Sequence, residues 1–256
     1  MVVHLKKKEA ILQRLYEDYV YYVEEISLIE EDYLWQNVKI YVDDSRSIRE
    51  FLVISIPSFY KNGKSLSAYM TAEKSSTVIK FASILKAMQK FRTHLQTSPE
   101  AEPFVKESMK WLTATYTVRY CRADSKTFRP HCLHRERATR LTPANIGKLL
   151  PSASSHFIKR IETAPVYAQA DEKGKLIAIS GVGFLTKRSF AISYTETEPE
   201  YRGQGIAKCL TSLSSEPLIK KGLVGVYSAD VTNQPSLGVA KGLGFLPYKD
   251  LKCFYN

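Results

Sequence analysis

The chain of 256 residues carries a formal net charge of +11, and 44% of its residues are hydrophobic. This length accommodates one large domain or two small ones, and the composition allows a sizeable core and excludes wholesale disorder. The basic charge is compatible with nucleic-acid binding, but no helix-turn-helix or RNA-binding motif accompanies it, so nucleic acid is an unfavoured partner. No apolar run reaches the length of a membrane span and residues 1–8 do not form a signal peptide, so we expect a cytoplasmic protein without a membrane partner.

The first half of the chain predicts both helices and strands. Residues 7–29 are predicted to be helical, and residues 77–95 show an amphipathic pattern with the hydrophobic residues on one stripe of a helix. Between them, two short hydrophobic runs predict strands at 38–42 and 51–56. We expect these elements to form an α+β domain at residues 1–122.

The second half alternates strands and helices more regularly, and the polar segment 123–130 is predicted to link it to the first half. We expect a second domain at residues 131–256. Its predicted elements, in chain order, are a strand at 137–141, helices at 142–150 and 154–162, strands at 166–170, 176–184 and 189–197, a helix at 206–218, a strand at 223–229, a helix after Asn233 and a strand at 246–254. This alternation predicts an α/β fold with a mixed sheet covered by helices.

The segment 202–207, Arg-Gly-Gln-Gly-Ile-Ala, lies between a predicted strand and a predicted helix. Glycines at such a junction allow a tight turn and bring several backbone N–H groups close to an anion. The unpaired N–H groups of the following helix and its positive dipole end add to the attraction. We therefore expect an anionic cofactor here. The dinucleotide fingerprint is incomplete, because Lys208 stands where its third glycine should be, and the Walker pattern is absent.

The pattern Arg-x-x-Gly-x-Ala in this segment resembles the pyrophosphate-binding loop of the GCN5-related N-acetyltransferases, which reads Gln/Arg-x-x-Gly-x-Gly/Ala. A second segment at the expected distance resembles the other half of that family's cofactor site: a strand ends near Asn233, a helix follows, and Leu-Gly-Phe closes it at 243–245. Asn233 can cap this helix, while Pro235 suits its first turn and Gly244 its C-terminal turn. Two motifs in this order make residues 131–256 similar to the family's domain.

The resemblance implies a mixed, mostly antiparallel sheet flanked by helices, in which the strands on either side of the glycine turn and its helix splay apart. The layout resembles a bacterial type with a separate N-terminal part and a C-terminal acetyltransferase domain. Residues 1–122 are then either an unrelated α+β domain or a degenerate copy of the same fold. No internal repeat is recognisable in the sequence.

The resemblance also implies acetyl-CoA as the cosubstrate. Its pyrophosphate would be bound by the main-chain amides of Arg202, Gly203, Gln204, Gly205, Ile206 and Ala207. Its pantetheine arm would bond to the backbone of Thr195 and Thr197 and contact Asn233 and Ser236.

The catalytic base is harder to identify. In relatives the base lies on the strand before the loop, at positions that correspond to Ser189, Ala191 and Ser193, and none of these is a carboxylate or an imidazole. Regular alternation places Glu196 and Glu198 on the opposite face, where we interpret them as surface residues. Ser193, acting through a water molecule, is the remaining candidate on this strand.

The sequence does not identify the general acid either. Many relatives carry a tyrosine four residues before the glycine of Leu-Gly-Phe, but Ala240 stands there in this chain. Tyr227 or Tyr248 could replace it, or either could serve only in packing. His156, on a predicted helix that borders the acceptor pocket in relatives, is either a substrate contact or a surface histidine.

Cysteine and histidine spacing does not predict a metal site, because the cluster at 131–134 has no second ligand pair elsewhere. Cys209 lies within the predicted helix 206–218 and is a poor nucleophile candidate. No metal ion is therefore expected.

These observations predict an N-acetyltransferase that moves an acetyl group directly from acetyl-CoA to a primary amine in a ternary complex. The acceptor is an amine-bearing small molecule or protein. Two alternatives stay open: a protein that binds acyl-CoA without catalysis, and a binding module at 1–122 that presents a protein partner to the second domain.

Overall fold

The computed structural model describes residues 3–5, 8–31, 38–44, 48–56, 65–88, 91–131, 133 and 135–256. The chain divides into two compact units, one formed by residues 1–119 with 250–256 and the other by residues 120–249. Within the described ranges, no helix combines the length and the apolar character that a membrane span requires.

This division places the C-terminal residues differently from the sequence-based boundaries, which assigned all of 131–256 to one domain. The predicted linker also contains a packed residue, since the Phe128 ring lies edge-on against Phe245 within the second unit, with 6.1 Å between ring centroids. Whether 1–122 and 131–256 are domains joined by a linker at 123–130 stays a prediction.

The first unit contains β-strands and helices in alternating groups. In chain order its elements are β1 (Val3–His4), α1 (Lys8–Leu15), α2 (Val23–Glu30), β2 (Val38–Val42), β3 (Phe51–Ser55), β4 (Ser65–Thr71), α3 (Ser75–Lys86), β5 (Arg92–Thr97), α4 (Glu102–Ser108) and most of β6 (Ala114–Ala123). The end of the last strand, β12 (Leu246–Tyr255), completes the unit by pairing antiparallel with β5. The strand order is β1-β2-β3-β4-β5-β12, and the pair β4–β5 is parallel.

The amphipathic stripe predicted for this half is confirmed on α3, where Val78, Phe81 and Leu85 are fully buried in a core shared with β3 and β4. The prediction that the helix continues to residue 95 is wrong, because residues 92–97 form β5. Their buried positions alternate with period two, as a strand between two neighbours requires. The predicted helix 7–29 is also interrupted, by a 3-10 turn at Tyr16–Asp18.

The second unit begins with the end of β6. Its further elements are β7 (Thr139–Arg140), α5 (Ile146–Leu149), α6 (Ser155–Thr163), β8 (Val166–Ala170), β9 (Leu176–Leu185), β10 (Ser189–Thr197), α7 (Ile206–Lys220), β11 (Val224–Asp230), α8 (Gln234–Gly242) and the start of β12. The strand order is β6-β11-β10-β9-β8-β7, with β10 and β11 parallel and the pairs from β7 to β10 antiparallel. This mixed, mostly antiparallel sheet flanked by helices confirms the predicted α/β fold.

The two units share one succession of elements: a strand, two helices, three strands, a helix, a strand and a helix. In each unit the helix that joins a parallel pair of strands occupies the same place, α3 between β4 and β5 and α7 between β10 and β11. The first unit is therefore a copy of the second in topology, although the sequence shows no repeat. Helix and strand order depend mainly on hydrophobic pattern and turns, so a fold can persist where residue identity does not.

Candidate functional site

The parallel strands β10 and β11 separate partway along their length. They are paired from Ser189, opposite Val224, to Ile192, opposite Tyr227. Beyond Ile192, β10 continues to Thr197 and is paired with β9. The last residues of β10, 195–197, are therefore not covered by β11. The expected splay is present, and it exposes backbone N–H and C=O groups that an extended ligand can use.

The ladder between β9 and β10 is irregular where the splay begins. Its register shifts between Ala191 and Ile192 and again between Ile192 and Tyr194, which leaves Ser193 without a register partner. Beyond this point the Tyr194 ring packs edge-on against Phe157 of α6, with 5.1 Å between centroids. An extra residue in one strand reverses the alternation of the side chains that follow it.

The reversal moves Thr195 to the α7 side of the sheet. Its hydroxyl is 3.1 Å from the Ser180 hydroxyl, which in turn is 2.8 Å from the hydroxyl of Thr211 on α7. By alternation, Glu196 shares the α6 side with Tyr194. The interpretation of Glu196 as lying opposite the face of Ala191 is therefore wrong, because regular alternation fails at Ser193.

The glycine turn leads directly into α7. Gly203 and Gly205 have φ values of +79° and +78°, in the left-handed region that glycine adopts without strain. Gly205 is the N-cap of α7, and the first bond of the helix runs from the Cys209 N–H to the Gly205 carbonyl at 3.0 Å. The amides of the first helical turn before Cys209 have no acceptor within the helix. Arg202 fixes the turn against the strand, since its Nε donates to the Thr197 carbonyl at 2.9 Å.

The start of α8 supplies the opposite wall. The Asn233 side-chain oxygen accepts a hydrogen bond from the Ser236 N–H at 3.1 Å, which confirms Asn233 as the N-cap of this helix. The Ser236 hydroxyl is hydrogen-bonded to the Tyr227 hydroxyl at 2.9 Å. The helix is thereby attached to β11 at the splay.

A cleft of about 780 Å³ connects these elements. Of the residues predicted to bind the cofactor, those that line it are Thr195, Thr197, Arg202, Gly203, Gly205, Ile206, Ala207, Asn233 and Ser236. Neither Gln204 nor Ser193 is among the lining residues in the described part of the chain. Ser193 is exposed and lies over Gly183 on β9, where an added Cβ would overlap the serine side chain. Binding and catalytic roles for these residues stay predictions.

The cleft has a positive end and an acidic side. Arg202, Lys208 and the N-terminus of α7 make the end at the glycine turn positive. Glu196 and Glu198 line the cleft along β10, and Lys175 lies 3.9 Å from the Glu198 carboxyl group. One end therefore suits an anion, and a carboxylate near the splay suits a cation such as an ammonium group.

Tyr227 places a hydroxyl beside the splay. The residue is 2% exposed. Burial raises the pKa of Tyr227, although its hydrogen bonds to Ser236 and Thr195 lower it in part. The phenol consequently stays protonated at neutral pH and can donate a hydrogen bond into the site. Ala240 is fully buried in the core and presents no such group.

His131 lies behind the glycine turn, a position that sequence reasoning missed. Its backbone N–H donates to the Ser212 hydroxyl on α7 at 2.9 Å. A Cβ added to Gly205 would lie 3.5 Å from His131 Nε2. No local signal in the sequence predicts this proximity, since the two residues are far apart in the chain. Cys132 and His134, and the side chain of His156, lie outside the part that the structure describes.

The sequence matches no family model and no curated protein, whereas solved structures share its fold. A GCN5-related N-acetyltransferase-like protein from Streptococcus suis 89/1591 is 15% identical with a TM-score of 0.67, over 97% of this chain and 98% of that chain. A GCN5-related N-acetyltransferase from Sphaerobacter thermophilus is 12% identical with a TM-score of 0.61, over 100% and 95%. A tandem GNAT protein from the clavulanic acid biosynthesis pathway is 12% identical with a TM-score of 0.56, over 100% and 98%. At these identities the similarity shows the fold, and the chain has the fold of the GCN5-related N-acetyltransferases along almost its entire length.

Proposed function

We propose that the second unit is an N-acetyltransferase that transfers an acetyl group from acetyl-CoA to a primary amine. The observation that carries the proposal is the cleft in which the N-terminus of α7 lies next to the end of β10 that β11 does not cover. A helix N-terminus can bind a diphosphate, and an uncovered strand edge can form hydrogen bonds with an extended chain that contains amides. The fold neighbours include acetyltransferases, which supports the same assignment.

The residues of the cleft fit the proposed cosubstrate. Glycines at 203 and 205 leave backbone N–H groups accessible, because neither carries a side chain that would cover them. In the proposed complex the pantetheine arm bonds to the backbone of Thr195 and Thr197, while Asn233 and Ser236 contact the same arm from α8.

Acetyl-CoA supplies an activated acyl group. The protein therefore has to orient this group, remove a proton from the acceptor ammonium ion and donate a proton to the departing thiolate. The acceptor amine must lose its proton, because an alkylammonium ion with a pKa of about 10.4 is not nucleophilic. Glu196, on the α6 side of β10, attracts the ammonium group and takes its proton through water. Ser193, three residues earlier on the same strand, is the alternative residue to hold such a water. Tyr227 donates to the departing sulphur. Acetyl transfer then occurs directly in a ternary complex, and buried Cys209 takes no part.

The test is calorimetric titration of acetyl-CoA into three forms of the protein. Gly203 has positive φ and no atom within 4 Å of an added Cβ, so Gly203→Asn and Gly203→Asp are both tolerated and differ in charge. We expect the wild type and Gly203→Asn to bind. Gly203→Asp should bind at least about tenfold more weakly, a loss of about 1.4 kcal/mol, because its carboxylate faces the diphosphate. Equal affinity of the two variants, or no binding by the folded wild type, would contradict the proposal.

One alternative has a specific observation in its favour. Ala240 is buried at a position where many relatives carry the acid, which is compatible with a protein that binds acyl-CoA without transferring the acyl group. Thiol release from acetyl-CoA across a panel of small amines and peptides decides between the two. Release that, at subsaturating acetyl-CoA, is much slower with Gly203→Asp than with Gly203→Asn supports the transferase. Binding without release for every amine supports the alternative.

A further inference from the structure

The start of α3 in the first unit corresponds to the anion-binding start of α7 in the second. Both helices join the parallel strands of their unit, and their N-caps are Lys74 and Gly205 respectively. The residue before each N-cap is Glu73 or Gln204. If the first unit bound a diphosphate as the second is proposed to do, the amides of Glu73 and Lys74 would hold it.

Those amides already have an acceptor. One oxygen of the Glu50 carboxyl group accepts from the Glu73 N–H and the Lys74 N–H, both at 2.7 Å. The other oxygen accepts from the Thr77 hydroxyl at 2.7 Å. Glu50 is 3% exposed. A carboxylate at a helix N-terminus makes the same interactions as a bound phosphate oxygen, with the favourable end of the dipole.

The carboxyl group is held in place by its own segment. The Asp43 N–H donates to the Glu50 carbonyl at 3.0 Å, and the Glu50 N–H donates back to the Asp43 carboxyl group at 3.0 Å. A group tethered this way has a high effective concentration at the helix start. A dissolved diphosphate would have to displace it and leave Glu50 buried without its partners, at a substantial cost.

The strand edge is also unavailable in the first unit. The pairing of β4 with β5 continues from Ser65, opposite Arg92, to Met70, opposite Thr97. The Ser98 N–H then donates to the Met70 carbonyl at 3.1 Å. The part of β4 that corresponds to the end of β10 not covered by β11 is therefore paired with β5 as far as Met70. No splay exists there to admit a pantetheine arm.

We infer that the chain binds one acyl-CoA molecule, in the second unit, and that Glu50 permanently fills the equivalent anion site of the first. The inference rests on the proposed function for its ligand. The first unit then keeps the fold without binding acyl-CoA. The Glu50 carboxylate stabilises it at the place where a cofactor phosphate would otherwise bind.

The first test is the stoichiometry of acetyl-CoA binding to the full chain. We expect one site per chain in the wild type and in Gly203→Asn, and at least about tenfold weaker binding in Gly203→Asp. Two sites per chain in the wild type would overturn the inference. Absence of binding, or a single site indifferent to Gly203→Asp, would instead overturn the proposed function.

The second test does not depend on acetyl-CoA. Glu50→Ala should lower the Tm by at least about 4 °C, because it leaves buried N–H groups without an acceptor. Sodium formate should restore part of that loss relative to sodium chloride at equal concentration, since formate replaces the missing carboxylate. Glu50→Gln fills the space with a neutral group, so it should fold with a lowered Tm and show no response to formate. Unchanged stability of both variants would overturn the assignment of Glu50 as the internal anion.

Discussion

Gly244 and Gly203 have nearly the same backbone conformation, with φ values of +81° and +79°, but different surroundings. A Cβ on Gly244 would overlap the Thr127 carbonyl oxygen, whereas a Cβ on Gly203 meets no atom within 4 Å. We predict that Gly244→Ala lowers the free energy of unfolding by roughly 3 kcal/mol and Gly203→Ala by about 1 kcal/mol. Urea denaturation of both variants measures the difference. Equal losses would show that backbone conformation alone requires these glycines.

The buried carboxyl group of Glu25 makes the stability of the first unit depend on pH. Glu25 is 6% exposed. Its burial, and to a smaller extent the neighbouring Glu24 carboxyl group, raises the pKa of Glu25 well above 4.5. The folded state therefore holds this proton more tightly than the unfolded state. The stability that it contributes is fully present below pH 4.5 and is lost as the pH rises from there towards the folded-state pKa.

The prediction is that Glu25→Gln gains stability relative to the wild type as the pH rises, because glutamine does not ionise. Melting temperatures of the two proteins between pH 4 and pH 8 should diverge on the neutral side. Glu9→Gln is the control, since Glu9 is exposed on α1. A difference between Glu25→Gln and the wild type that stays constant over this range would contradict the prediction.

The residues of the site were predictable where their role is local. A glycine in a strand-to-helix turn and an asparagine before a helix have meanings that depend on a few neighbours in sequence. The side of the sheet on which Glu196 lies depends instead on the irregular register around Ser193, which pairs β10 with β9. The hydrogen bonds that connect Tyr227, Ser180 and Thr211 through Thr195 likewise depend on how distant strands and helices pack.

At the scale of elements, two substitutions of Asn233 at the start of α8 distinguish its role in helix capping from its role in ligand binding. Asn233→Ala removes the acceptor of the Ser236 N–H, so we predict a loss of about 1 kcal/mol in stability together with weaker acetyl-CoA binding. Asn233→Asp keeps the cap but adds a negative charge and removes the amide donor. It should retain wild-type stability and still bind acetyl-CoA more weakly. Thermal melts and calorimetry give the two quantities, and wild-type affinity in both variants would exclude Asn233 from the binding site.

Element type was predictable for periodic segments, among them the short strands at 38–42 and 51–56, and failed at the end of the predicted helix 77–95. The stripe of α3 was readable because its hydrophobic residues recur at helical spacing. Leu95 continues the same spacing, but in the protein residues 92–97 lie between β4 and β12 and form a strand. Pairing with two neighbouring strands outweighs local helix propensity, which amounts to a fraction of a kcal/mol per residue.

At the scale of the molecule, the C-terminal strand belongs partly to the first unit. Phe254 is 3% exposed in the core of that unit, next to β5, and Tyr255 beside it is 42% exposed. We predict that Phe254→Ala lowers the free energy of unfolding of the first unit by about 3–5 kcal/mol and accelerates hydrogen exchange in β5. Tyr255→Ala should have a much smaller effect. Unchanged exchange in β5 of Phe254→Ala would contradict this assignment.

The sequence by itself determined the glycine turn before α7, the Asn233 cap of α8 and the alternation of strands and helices in the second half, because these depend on residues close together in the chain. The tertiary structure decided the face of Glu196, the closure of the first unit by β12 and the contacts of Glu50 at the start of α3. Each of these depends on strand register or on contacts between distant segments. Such contacts are fixed by burial and hydrogen bonding in the folded chain and leave no local pattern from which they can be predicted.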